Sequence, residues 1–67
     1  MFLYTLNGVV VEITPLTTVD GWDVWNVKST ENGTVREWHG FKAQHFDLRN
    51  LPNEAIEFII NDLRTYC

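Results

Sequence analysis

The chain has 67 residues, a formal net charge of −4 and a sequence pI near 4.8. That length allows one domain, residues 1–67, close to the lower limit for an independent core. The five cations, Lys28, Arg36, Lys42, Arg49 and Arg64, are scattered, so there is no basic stripe to displace phosphate counterions, and the acidic balance disfavours anionic membrane surfaces.

Residues Phe2 to Thr14 read as a β-hairpin around Asn7-Gly8, a pair suited to a type I′ turn with positive φ at both positions. A two-residue loop pairs Leu6 with Val9, Tyr4 with Val11 and Phe2 with Ile13. Those six share one face, which should pack under a helix, while Leu3, Thr5, Val10, Glu12 and Thr14 share the other. Pro15 should end the second strand, because it cannot donate to the ladder. Leu16 to Gly21 then reads as a connection, with Asp20-Gly21 as a turn.

A third strand is expected over Trp22 to Lys28, followed by a reversal at Asn32-Gly33. A two-residue loop there sets Lys28 against Glu37, Val27 against Trp38 and Trp25 against Gly40: opposite charges, two apolar groups, and a large ring over a bare backbone. A four-residue loop, Thr30 to Gly33, is the competing register. In the first register Trp25, Val27 and Trp38 take one face and Trp22, Val24 and Phe41 the other. Residues 40–50 carry no clear period; they could extend the fourth strand, add an edge strand, or form a helical turn.

The last segment, Leu51 to Cys67, reads as an amphipathic helix. Ile56, Ile59, Ile60 and Leu63 fall within about 100° of one another, and Glu54, Glu57, Asn61, Arg64 and Thr65 take the opposite side. Pro52 fits the first turn and Asn50 is the better N-cap. Phe58 departs from the pattern, projecting among Glu54, Asn61, Asp62 and Thr65. It is either a ring that the 40s segment covers or leaves singly exposed, or an anchor for another chain.

The expected class is α+β: a small antiparallel sheet of two consecutive β-hairpins, four or five strands in all, with one C-terminal α-helix packed on one face. The helix covers one face, and the second hairpin places large apolar groups on both. That surplus of apolar surface is the physical reason to expect an interface.

No constellation points to chemistry. His39, His45 and Asp47, even with Cys67, match no ligand spacing, so no metal and no cofactor is expected. The only Ser, Ser29, lies in no nucleophile elbow, and the four glycines fall at turns or opposite a ring rather than in a phosphate loop. A terminal Cys67 paired with a histidine lacks the surroundings that hold a nucleophile in place. Trp22, Trp25 and Trp38 could line a stacking surface for sugar or peptide, but Trp25 and Trp38 fit a small core better; Trp22 is the surface candidate.

A single cysteine excludes an internal disulfide and fits a reducing compartment. No apolar run approaches the ~18 residues of a membrane span, and MFLYTLNG lacks the marks of a signal peptide. The expectation is a cytoplasmic, non-enzymatic protein–protein binding module or regulator acting by steric occupation, with an unknown protein partner and no nucleic acid or membrane. Its candidate contact residues are Phe58, Trp22, Val24, Phe41 and Glu54. The alternatives are an obligate homodimer, which a core this small favours, and an aromatic surface for carbohydrate or peptide.

Overall fold

Three tight turns organise the sheet. In the computed structural model, which describes all 67 residues, Asn7-Gly8, Asp20-Gly21 and Asn32-Gly33 each hold φ near +50° and then near +80°. Those are the dihedral signs of type I′ turns, whose twist matches the strands they join. They link β1 (Phe2–Leu6), β2 (Val9–Val19), β3 (Trp22–Glu31) and β4 (Thr34–Ala43) into one antiparallel meander in the order β1-β2-β3-β4. Helix α1 (Asn53–Tyr66) closes one face. The expected class, α+β with a four-stranded sheet and one C-terminal helix, is the observed one.

The first hairpin pairs as expected, Phe2 with Ile13, Tyr4 with Val11 and Leu6 with Val9. The third turn takes the two-residue loop, so Lys28 faces Glu37 and Val27 faces Trp38. Pro15, however, does not end β2. The strand continues to Val19 through a bulge in which Leu16 is the extra residue between Pro15 and Thr17. β1 stops opposite Ile13, so Pro15 has a ladder neighbour on the β3 side only, and a bulge on such an edge tolerates a missing N–H.

A second bulge corrects the expected faces of β4. Trp25 pairs with Phe41 and Asn26 with His39, leaving Gly40 as the extra residue at φ +88°. That positive φ suits a glycine, the only residue that adopts it freely. Inserting one residue inverts the in–out alternation beyond it. Phe41 therefore turns from the open face to the helix side and is 4% exposed. Its ring stacks on Trp25 at 6.3 Å and meets Trp38 edge-on at 5.2 Å; Trp38 in turn meets Tyr66 of α1 at 5.8 Å.

The core joins Val9, Val11 and Ile13 of β2, Trp25 and Val27 of β3 and Phe41 of β4 to Ile56, Ile59, Ile60 and Leu63 of α1. These four helix residues are the ones the 3.6-residue period selects. The helix start differs from expectation: Pro52, not Asn50, is the N-cap, with no side-chain cap, and its carbonyl accepts from the Ala55 and Ile56 N–H groups. Leu51 and Ile56, both buried in the core, hold the N′ and N4 positions of a hydrophobic staple instead.

Residues 40–50 divide. Gly40 to Ala43 complete β4, and the rest is a connection to α1. The Tyr4 hydroxyl donates to the Leu48 carbonyl and accepts the Leu51 N–H at 3.1 Å. Asp47 Oδ1 accepts the Arg49 N–H at 3.0 Å, closing an Asx-type turn. That backbone N–H, followed by the Arg49 side chain, holds the Asp47 carboxyl below its ordinary range.

The molecule measures 35 × 23 × 18 Å. A 14-residue helix spans about 21 Å, so it cannot cover the long axis. What overhangs is the end of the sheet beyond Ile13 and Asn26, where β1 is absent and only β2, β3 and β4 continue to the Asp20-Gly21 turn.

Candidate functional site

The overhanging end carries the exposed aromatics. Trp22 is the first residue of β3, Phe46 belongs to the connection after β4, and Phe58 stands on α1; they are 46%, 36% and 62% exposed. All three line one groove of about 360 Å³, whose floor includes the buried rings of Trp25 and Phe41. Its wall on the β4 side is Lys42, Ala43 and Gln44, and on the helix side Ala55 and Ile59. The volume lies at the small end of the ~300–1,000 Å³ typical of ligand pockets.

The structure thus brings together three of the five candidate residues, Phe58, Trp22 and Phe41, in roles that differ from their expected ones. Phe58 is exposed and meets the groove from the helix side. Trp22, expected on the open face, lines the groove. Phe41 offers a floor, not a free ring. Val24 remains on the open face but is only 9% exposed, flanked on the central strand by its cross-strand partners Thr17 and Lys42; it is not an accessible contact. Glu54 is exposed in the first turn of α1.

The open face itself lost its large ring when Gly40 turned Phe41 inward. Its central rows are polar: Glu12, Lys28 and Glu37 stand in register, and Asn26 donates to Glu37 at 3.1 Å while contacting His39 Nδ1 at 3.0 Å. Exposed apolar side chains lie both at this end of the sheet and on the open face, where Leu3, Val10 and Val35 flank the polar rows. Residues 44–50 carry no period in the sequence that would place Phe46 beside Phe58.

A second, more polar groove of about 540 Å³ lies on the other side of Phe46, which lines both. Here Asp23 accepts from His45 Nδ1 at 2.9 Å and from the Thr18 hydroxyl at 3.4 Å. A carboxylate–imidazole pair can orient a general base, but a nucleophile would have to meet the imidazole. Of the two threonines that line this groove, Thr18 bonds to the carboxylate instead, and no hydroxyl hydrogen-bonds to the imidazole. The pair's evident work is to fasten the connection to β3. His39 is on the open face and His45 in this groove, and no three His, Cys, Asp or Glu side chains converge as a metal site would need.

At the opposite end, Arg64 forks onto Glu31, with its Nε donating to Oε1 at 3.0 Å, and Arg36 lies 3.4 Å from the same carboxylate. The hydrogen bonds from Arg64, then the charges of Arg64 and Arg36, hold the Glu31 carboxyl below its ordinary range, partly offset by desolvation. This cluster clamps the end of α1 to the β3–β4 turn, far from the aromatic groove.

The fold and this site define a small α+β domain with an apolar, aromatic-walled groove between its helix and the free end of its sheet. No protein-family model, curated protein or solved structure matches the chain. No helix is long and apolar enough to cross a membrane.

Proposed function

We propose that the protein is a non-enzymatic protein-binding module that acts by occupying a partner's surface through the groove between α1 and the overhanging sheet. The observation that carries this reading is the meeting of Trp22, Phe46 and Phe58 around one concavity. Large rings left exposed together, over a floor of buried rings, are the composition from which interface hot spots are built. The groove lining also supports a binding role over a chemical one: Lys42 is its one ionisable group, and acid–base work needs a poised donor and acceptor.

The test is affinity capture from the native host's lysate with the wild-type protein, Phe58→Ala and Trp22→Ala as parallel baits. A protein retained by the wild type and lost with both variants, at thermal midpoints close to wild type, supports the reading. Equal retention by all three baits refutes it. A collapse of the midpoint in Phe58→Ala would make that ring core and refute it equally.

A further inference from the structure

Between Ala43, where β4 ends, and the turn at Asp47 lie Gln44, His45 and Phe46. None of the three makes a backbone–backbone hydrogen bond. The one hydrogen bond that ties this stretch to the sheet runs from His45 Nδ1 to Asp23 at 2.9 Å. Asp23 belongs to β3 and also accepts the Thr18 hydroxyl of β2 at 3.4 Å, so the carboxylate is held from both strands of the hairpin around Asp20-Gly21. It is also the sheltered partner, its side chain 18% exposed against 86% for the imidazole. Asp23 is thus the fixed post, and His45 the group fastened to it.

Phe46 follows His45 directly. It shares with Trp25 the property of lining both the aromatic groove and the polar one beside it. Trp25 is a core residue of β3 and part of the floor; Phe46 is a wall, and it stands on a backbone with no ladder of its own. We propose that the hydrogen-bonded series Thr18, Asp23, His45 holds Phe46 in place between the two grooves, which makes Asp23 and His45 positioning residues for the aromatic groove. This rests on the binding role proposed above and names what sets the shape of that site. A wall fixed before binding spares a partner the cost of ordering it. Without the His45 contact, residues 44–46 keep only their covalent ends at Ala43 and Asp47 and the packing of the Phe46 ring. The groove is then complete in a fraction of the molecules, and apparent affinity falls by that fraction. An exposed pair contributes little, so the effect is small, but it acts through one ring only.

The probe is a peptide enriched on the wild-type protein from a random display library, counter-selected on Phe58→Ala and followed by fluorescence anisotropy. His45→Ala should raise its Kd about three- to fivefold. His45→Asn, whose amide N–H stands near the place of the ring Nδ1–H, should return Kd to within about 1.5-fold of wild type. Phe46→Ala should weaken binding more than His45→Ala does. In the Phe46→Ala background His45→Ala should change Kd by less than about 1.5-fold, because a residue that acts through another is silent once that other is gone. The thermal midpoint of His45→Ala should stay close to wild type. Binding indifferent to His45→Ala or to Phe46→Ala, an equal effect of His45→Ala with and without the Phe46 ring, or no rescue by His45→Asn overturns the positioning role and leaves the groove as a binding site. A collapse of the midpoint in His45→Ala makes the contact part of the fold and overturns it too. A library that yields no peptide dependent on Phe58 overturns both this inference and the binding role.

Discussion

The two ends of the sheet are built from the same turn and nearly the same strands, yet they are finished differently. At the Asn32-Gly33 end, four strands lie under α1, the core is continuous from Val9 to Leu63, and Arg64, Glu31 and Arg36 seal the margin. At the Asp20-Gly21 end β1 is missing, two bulges distort the ladder, and Trp22, Phe46 and Phe58 stay in solvent. The first end buries its inward-facing apolar side chains and leaves Val35 and Tyr66 exposed; the second leaves three aromatic rings exposed around one groove. In a domain this small, rings held out of the core forgo about 1.5–3 kcal/mol of burial each, so their retention favours a role outside folding.

The comparison breaks most sharply in the closed end. Leu63→Ala removes a fully buried side chain, and the loss is expected to be about 2–5 kcal/mol in urea unfolding, enough to abolish cooperative unfolding in a domain of this length. A cost near zero would show that α1 is not docked as described.

The hinge between the two ends is next. Gly40→Val places a β-branched side chain at φ +88°, a strain of about 1–3 kcal/mol although the space beside it is open. If the chain escapes by removing the bulge, Phe41 turns to the open face and the core loses a ring. A near-wild-type midpoint together with unchanged Trp25–Phe41 contacts by NMR would mean the bulge does not set the face.

Tyr4→Phe leaves the Leu51 N–H without its acceptor and the Leu48 carbonyl without its donor. An expected loss of about 1 kcal/mol should come with faster hydrogen exchange at Leu51, sharpening the claim that β1 anchors the connection.

The acid limb is smaller again. Glu31 has a folded-state pKa below its unfolded value of about 4.5, so its contribution is present above that pH and is lost as pH falls through the lower folded value. The stability–pH slope below pH 4.5 should be shallower in Glu31→Gln than in the wild type; parallel slopes would remove the clamp from the account. Smallest of all is Phe58→Ala, expected to change stability by no more than ~0.5 kcal/mol in urea unfolding; a larger loss would make that ring part of the core.

Much of the closed end is legible from sequence because local signals there agree. Asn-Gly pairs specify the turns, the two-residue period puts Val9, Val11 and Ile13 on one face, and the 3.6-residue period selects the four buried residues of α1. The other end resists the same reading because both its bulges break the period on which the reading depends. Pro15 looks like a stop and is an edge position inside a strand. Gly40 looks like a partner for Trp25 and is instead the inserted residue that turns Phe41 over. Phe58 was visible as a departure from the helical stripe, but its neighbour Phe46 lies in a segment held by Tyr4 and Asp23, contacts 44 and 22 residues distant in the chain.

The row of rings Trp25, Phe41, Trp38 and Tyr66 carries an optical consequence. Light absorbed by Tyr66 should pass to Trp38, so tyrosine-excited indole emission reports whether the last turn of α1 is seated. Trp22, standing apart in solvent, should emit to the red of the other two and shift to the blue when something enters beside it. One unlabelled molecule thus offers separate colours for its closed end and its open one.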